Sequence, residues 1–345
     1  MSKADVALGQ VVPRDHLASL QRAVPLDWSV KRAYRLPAGA LGAYYIEWLP
    51  GAGPYGENWS SEALDEDGTL LSGAARAYHP IRIAQYGLHR HSQWCATHAP
   101  ADRDAFIAQA RWLAANARDR GVVPGCLVYG FPWPRYGAPA GWISAMAQGE
   151  AISLLLRAAD ACSDAAYRAA ALHIAQPFRF DVQDGGVVYR SGSDTFLEEV
   201  AVLPASHILN GHIFALWGLL ELSTVFKEPW ISELAGAATD TLRRRLPLYD
   251  AGYWSHYSLL GTRSGFRSVA LLKYHAFHIA QLRVTAALTG DPFFSTIADR
   301  WQGYADSPWC RMRVLANTTA GLVPGLLRSD RVGRGAVDLL EVLAD

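Results

Sequence analysis

The chain has 345 residues, half of them hydrophobic, and its 32 acidic and 32 basic side chains leave a formal charge of zero. That is enough chain for one large core or two small ones, and the composition is too apolar for a disordered or fibrous protein. A neutral chain without a basic stripe excludes nucleic acid as a general partner.

The first twenty residues carry no apolar h-region, and no later run of eighteen uncharged apolar residues could span a bilayer. We therefore expect no export by the usual signal, no membrane partner and a cytoplasmic location. Cys95, Cys126, Cys162 and Cys310 lie too far apart for a CxxC motif and read as buried, reduced thiols. Residues 1–75 lack helical periodicity. Val30 to Pro50 and the glycine-rich Gly51 to Gly73 read as strands and turns, an N-terminal β appendage edging a domain over residues 76–345.

From Ile81 onward helical stretches come in pairs. An apolar helix over Ile81 to Cys95 precedes one opening near Phe106, and a Gly/Pro/aromatic connection runs from Gly121 to Gly141. The next apolar helix covers Trp142 to Ala161, its partner opens at Tyr167, and the connection spans Pro177 to Ser206. A third pair follows with His207 to Leu222 and a helix opening at Trp230, then the connection Pro247 to Tyr274. The last pair is His275 to Leu288 and a helix opening at Phe293. The four aromatics stand 61, 63 and 63 residues apart, and a fixed period of about 62 residues marks repeated helical hairpins. Alanine and glycine along the apolar helices allow close approach, and apolar residues on several faces predict burial between an inner filling and an outer helix layer. The expected architecture is mainly α, an α/α toroid. Its three insertions, read as β-hairpins, all follow an outer helix and so gather at one end, over the predicted cleft.

Several strings, in order, resemble the C-terminal domain of the D-glucuronyl C5-epimerases: YHPIRIAQYGLHRHS, GWISAMAQGEAIS, LEEV with SHILNGHIFALWGL, LPLYDAG and YHAFHIAQL. The resemblance implies an α/α barrel and removal of the C5 proton of a glucuronosyl residue, with return of a proton on the other face. It also implies site residues. Tyr274 matches the family's catalytic tyrosine, Tyr257 the tyrosine of its YDLRH-like hairpin, and Glu199 the glutamate of its EEY motif. The sequence departs from the family where EEY reads Glu198, Glu199, Val200, and where YDLRH reads Tyr257, Ser258, Leu259, Leu260, Gly261. Steadying the substrate carboxylate then falls to Arg263, Arg267, Lys273 or His256.

The chemistry asks for such groups. A proton α to a carboxylate leaves only if the developing enolate is stabilised, which a cation in a dry cleft supplies, while a tyrosine beside a cation serves as base and a neutral tyrosine opposite as acid. Tyr257 and Tyr274 suit the two roles if they face opposite sides of the sugar. The same anion ends in β-elimination if an acid reaches the C4 oxygen. Hydrolysis instead needs two carboxyls, and Glu199 with Asp194, Asp250 or Glu150 would supply them. A binding-only protein that kept the barrel and lost the hairpin charges is the alternative outside enzymes.

Twelve tryptophans and fifteen tyrosines suit sugar stacking. Trp133, Tyr136, Trp142 and Trp254 are candidate platforms, and Gln148, Arg190 and Asn210 candidate polar contacts. His275 and His278 share a helical face with Gln281, but no third ligand motif accompanies them, so we read them as positioning the substrate and expect no metal and no cofactor. No nucleotide-binding or serine-hydrolase motif occurs. The expected partner is a uronic-acid-containing oligosaccharide or glycoside, and exposed aromatics on the toroid surface would allow a homodimer.

Overall fold

The structure is a computed structural model that describes residues 41–46, 63–73, 75–261 and 267–314. Four inner helices, α1 (Pro80–Thr97), α3 (Ala145–Cys162), α5 (Leu209–Val225) and α7 (Leu272–Thr289), alternate with four outer ones, α2 (Pro100–Asn116), α4 (Ala165–Ile174), α6 (Pro229–Arg245) and α8 (Pro292–Asp306). Each inner helix packs against its own outer helix, and α1 packs on α3, α3 on α5 and α5 on α7. This is the α/α toroid read from the repeat, described here as an arc of four hairpins.

Local chemistry sets the helix starts. Proline in the first turn of α1, α2, α6 and α8 loses no hydrogen bond there, since the first amides of a helix have no internal partner. Ser144, Asp164 and Asp291 cap α3, α4 and α8 by accepting from Ala147, Ala166 and Phe293 amides. One expectation is corrected by this: Phe106 does not open its helix, because Pro100 starts α2 six residues earlier. Phe106 is instead a wholly buried residue on the face packed against α1.

The three insertions form antiparallel hairpins. A short hairpin near the N-terminus comprises β1 (Ala63–Leu64) and β2 (Leu70–Leu71). The inserted ones are β3 (Ala117–Arg120) with β4 (Val123–Leu127), β5 (Val188–Ser191) with β6 (Asp194–Leu197), and β7 (His256–Gly261) with β8 (Arg267–Val269). Each lies between an outer helix and the next inner one, so all three sit where the inner helices begin. Most of the N-terminal appendage lies outside the described residues, but two pieces are part of the toroid itself. Gln109 of α2 accepts from Leu70 N and donates to Gly68 O, tying down the β1–β2 turn. Tyr44 and Tyr45 pack edge-on against Trp217 of α5 inside the core.

The α3–α5 contact is the closest in the arc. Gly149 faces Gly218 backbone to backbone, and a Cβ on Gly149 would stand 2.5 Å from Ala215 Cα. Further along the same pair, Arg157 makes a bidentate ion pair with Glu221 at 2.7 and 2.9 Å, both side chains fully buried. Arg157 also donates to Ser153 O and Gly42 O, so its donors are met by protein, as a buried charge requires. Only two of the four thiols match the expected burial: Cys126 and Cys310 are buried, while Cys162 is half-buried and Cys95 exposed, and all four are unbridged. No helix among the described residues is long and apolar enough to cross a membrane.

A methyl group cannot enter the α3–α5 seam without moving backbone. We expect Gly218→Ala to destabilise by about 1–3 kcal/mol, the usual cost of overpacking, measured as a lower urea midpoint at unchanged m-value.

Candidate active site

Glu198 and Glu199 follow β6 at a bend and reach different partners. Glu198 turns toward the loop that leads into α5. It accepts from Ser206 N, Ser206 Oγ and His207 N at 3.0–3.1 Å, and its other oxygen lies 2.5 Å from His207 Nδ1. Glu198 therefore locks the entry to α5. Glu199 turns inward against the first turn of α5, where Gly211 leaves room for it: a Cβ at that position would overlap the Glu199 carboxyl. Its polar contact is Asn210, whose Nδ2 donates at 3.4 Å.

Glu199 belongs to a polar belt across the inner wall. Gln85 of α1 donates to Glu150 of α3 at 3.1 Å, Asn210 of α5 donates to Glu199, and Gln281 of α7 donates to Asn210 O at 3.0 Å. All five residues are buried. Burial pushes the Glu199 carboxyl up to about 8, helped by the charge of Glu198, and burial holds Glu150 well above the carboxyl range, helped by the charge of Glu199. Of the three carboxyls weighed as partners for Glu199, only Glu150 joins it. Asp194 pairs with Arg244 and Arg245, and Asp250 accepts from Gly252 N and faces Arg300.

The two tyrosines come together differently from the two-sided arrangement. Tyr257 on β7 and Tyr274 in the first turn of α7 have ring centroids 4.7 Å apart, inclined by 61°. A pyranose does not fit between rings at that distance, so the two phenols stand side by side. Lys273 approaches this pair, its Nζ 5.3 Å from the Tyr274 ring centre. His256, half-buried, lies next to Tyr257 at the start of β7. Arg263 lies outside the described residues, and Arg267 is placed only as the first residue of β8.

Trp133 and Tyr136 are half-buried and edge-on to one another at 5.5 Å in the connection between β4 and α3, with Trp142 against Trp133 and the Arg135 guanidinium over the Tyr136 ring. Other candidates are corrected by their partners. Trp142 is stacked on Tyr129 at 3.7 Å with its indole nitrogen donating to Phe131 O, and Trp254 is stacked on His275 at 3.8 Å and donates to Ala270 O. Gln148 accepts from Leu127 N and donates to Gly125 O and Ile174 O, so its amide joins β4, in the first connection, to α3 and α4. Arg190 is exposed on β5, lining a surface depression of about 280 Å³ with Arg179 and Trp230 on the outer layer.

His275 and His278 face outward from α7, not into the belt. Ser255 Oγ lies within 2.9 Å of both Nδ1 atoms, and His275 Nε2 reaches Trp301 O of α8. Burial keeps both rings neutral, His275 down to about 4. They are a packing device between inner and outer helices because helical spacing alone does not say which layer a face meets. Among the described residues no group of three or more His, Cys, Asp or Glu side chains could hold a metal ion.

Gln85 was not singled out from the sequence, although a signal existed. Ile83-Ala84-Gln85 and Ile279-Ala280-Gln281 repeat the same triplet in α1 and α7, and both glutamines join the belt.

An α/α toroid with buried carboxyls on α3 and before α5 and a tyrosine pair on β7 and α7 defines the class of fold and site. Residues 129–303, half of the chain, match the family described as D-glucuronyl C5-epimerase C-terminus, and the chain belongs to that family. It is 35% identical over 217 residues to D-glucuronyl C5-epimerase from Caenorhabditis elegans, covering 58% of this chain and 35% of the relative. An uncharacterized protein from Methanocaldococcus jannaschii is 26% identical over 201 residues, covering 57% of this chain and 63% of that one. The chain thus spans about a third of the first of these relatives and under two thirds of the second. A solved structure of unsaturated glucuronyl hydrolase from Bacillus sp. GL1 aligns with a TM-score of 0.41 at 18% identity, over 65% of this chain and 59% of that chain.

The raised Glu199 carboxyl has a stability consequence. Unfolded, a glutamate releases its proton near pH 4.5, whereas folded Glu199 keeps it to about 8, so the native state holds the extra proton between these values and loses stability as pH rises through that window. We expect Glu199→Gln to be increasingly more stable than wild type from about pH 5 to 8, by at most about 1.4 kcal/mol per pH unit, and by a constant margin above pH 8. Thermal unfolding across pH measures it.

Proposed function

We propose that this protein is a uronic-acid-active enzyme that abstracts the C5 proton of a glucuronosyl-type residue in an oligosaccharide or glycoside and epimerises it. The observations that support the reading are the buried carboxyl of Glu199 against the first turn of α5 and the Tyr257–Tyr274 ring pair, carried by β7, whose Ser258 is bridged to Ile208 at the start of α5. Family membership supports it, as does the name of the Caenorhabditis elegans relative.

The substrate carboxylate draws electrons from C5, and Lys273 or a neighbouring cation on the β7–β8 hairpin steadies the enolate that forms when the C5 proton leaves. A phenolate at Tyr257 or Tyr274, favoured by the Lys273 ammonium, takes that proton from the tyrosine side. Glu199, protonated at neutral pH, delivers a proton from the α5 side. The sugar is inverted at C5 with no bond cleaved, and solvent restores both groups once the product has left. In this reading Trp133 and Tyr136 are the aromatic platforms for a neighbouring sugar.

Incubation with uronosyl oligosaccharides in deuterated water tests this. Deuterium at C5 in an uncleaved product, seen by NMR and mass, is the expected result. An unsaturated end would assign elimination instead, a new reducing end without unsaturation would assign hydrolysis by Glu199 with Glu150, and binding without any change would assign a carbohydrate-binding protein. We expect Tyr274→Phe to lower exchange about 100-fold or more, in line with removal of a general acid or base, with binding kept. Unchanged turnover in that variant would remove Tyr274 from the chemistry.

A further inference from the structure

The sequence reads His207 only as the start of an apolar helix, whereas α5 begins two residues later, at Leu209. His207 itself stands in the preceding loop with φ at 49°, a backbone conformation that residues other than glycine rarely adopt. Such a conformation persists only where the surroundings hold it from several sides. Here they do. The His207 amide donates to Glu198 Oε2 at 3.0 Å, and its carbonyl accepts from Tyr249 OH at 2.6 Å and from Leu259 N of β7 at 3.4 Å. The next residue, Ile208, is bridged to Ser258 of β7. The ring is held as firmly: Nδ1 lies 2.5 Å from Glu198 Oε1, and the rings of Tyr189 on β5 and Phe196 on β6 pack on it at 5.0 and 4.7 Å. His207 thus fastens the second inserted hairpin to the third, at the end of the toroid where the inner helices begin.

Hydrogen-bond arithmetic fixes the ring's chemistry. Glu198 is wholly buried, and its Oε2 already receives three donors, Ser206 N, Ser206 Oγ and His207 N. A carboxyl supplied in this way on one oxygen serves as an acceptor on the other, so the proton between Oε1 and the ring sits on Nδ1. A neutral imidazole protonated at Nδ1 carries its lone pair on Nε2. That atom is not buried and bonds to none of the described residues, and the side chain is 24% exposed. Glu198 and the rest of the ring are engaged by protein, and Nε2 is the atom offered outward.

We propose that Glu198 and His207 form a carboxylate–imidazole dyad that binds the substrate, with Nε2 accepting a hydrogen bond from a sugar hydroxyl. This use rests on the uronosyl reading, although the form of the dyad does not. A lone pair takes donors, and of the polar groups on a uronosyl residue the hydroxyls supply one whereas the ionised carboxylate does not. Nε2 and Lys273 then read different parts of the same sugar class, the imidazole a hydroxyl and the ammonium the carboxylate. No proton is transferred: the hydroxyl keeps its hydrogen, and His207 orients the sugar for the chemistry carried by other groups. Holding the ring in one tautomer and one orientation before the sugar arrives lowers the entropic cost of making that bond, which gives the strained backbone at His207 a purpose.

Nitrogen NMR of the full chain, labelled at its histidines, tests the dyad without substrate, since long-range couplings from the ring protons distinguish the two tautomers. The His207 signals are those lost on substitution. The expected result at mildly alkaline pH is a neutral ring protonated at Nδ1, and a ring protonated at Nε2 would overturn the dyad.

The binding role is read from two substitutions that divide the ring between them. His207→Asn places an amide nitrogen near the Nδ1 position, keeping a donor for Glu198 and deleting Nε2. His207→Gln places an amide oxygen near the Nε2 position and gives up the bond to Glu198. In C5 deuterium incorporation from uronosyl oligosaccharides, His207→Asn should raise KM about 3- to 10-fold with kcat kept, the effect of one lost neutral hydrogen bond. His207→Gln should lie nearer wild type in KM while melting at a lower temperature. A His207→Asn protein with wild-type KM would make His207 a loop lock only and overturn the proposal. If His207→Asn fails to fold by circular dichroism, the wild-type Nε2 resonance decides: it should move when a uronosyl oligosaccharide is added, and an unmoved Nε2 among other moving signals would overturn the proposal. Should no signal move and no deuterium enter any uronosyl substrate, the uronosyl reading fails and the hydroxyl contact with it, while the tautomer result still decides the dyad by itself.

Discussion

Where α3 crosses α5, Gly149 and Gly218 let two inner helices meet backbone to backbone, and the rest of the inner wall is positioned by that contact. Close approach here brings Glu150 of α3 toward the first turn of α5, where Gly211 makes room for Glu199. One further turn or two along, the same two helices are joined by the Arg157–Glu221 pair, with Tyr44 and Tyr45 packed over the guanidinium. A buried ion pair contributes little net stability compared with apolar packing, but losing one partner strands the other, so it enforces register between the helices. Small residues and a buried charge pair thus act together on one seam: the first sets distance, the second sets alignment.

The carboxyl belt carries the opposite energetics. Five buried polar side chains on the inner wall leave several oxygens without donors, an arrangement that stability alone would not retain. Its cost is offset by the dense apolar packing between inner and outer layers and by the capped starts of α3, α4 and α8. Neutral carboxyls in a water-poor site are also useful chemically, because a proton held at a raised pKa is available at neutral pH and because electrostatic effects are stronger where water is excluded. The proposed chemistry uses the least stabilised part of the fold, which is where strain and unmet polar groups are expected to collect.

Much of the architecture was legible in the chain. The period of about 62 residues, the alternation of apolar and amphipathic helices and the position of each insertion after an outer helix follow from local patterns, and each survives in the structure. The site was legible only in part. Glu199 stood out as a glutamate in an apolar approach to a helix, and it is buried against the first turn of α5. Trp142, Trp254, Gln148, His275 and His278 looked equally suited and are engaged by protein instead, since an aromatic or polar residue at helical spacing carries no mark of whether it faces the bore or the outer layer. Tyr257 and Tyr274, expected on opposite sides of a sugar, have their rings packed 4.7 Å apart.

By itself the sequence determined the repeat, the pairing of inner with outer helices and the end at which the inserted hairpins gather, because those depend on hydrophobic periodicity and on where proline, glycine and capping residues interrupt it. The tertiary structure alone decided which carboxyl joins Glu199. Asp194, Asp250 and Glu150 are alike as carboxylic acids, and two of them meet arginines brought from distant helices while the third is buried and accepts from the Gln85 amide. Protonation follows from that difference in surroundings, and surroundings are assembled by chain segments tens of residues apart.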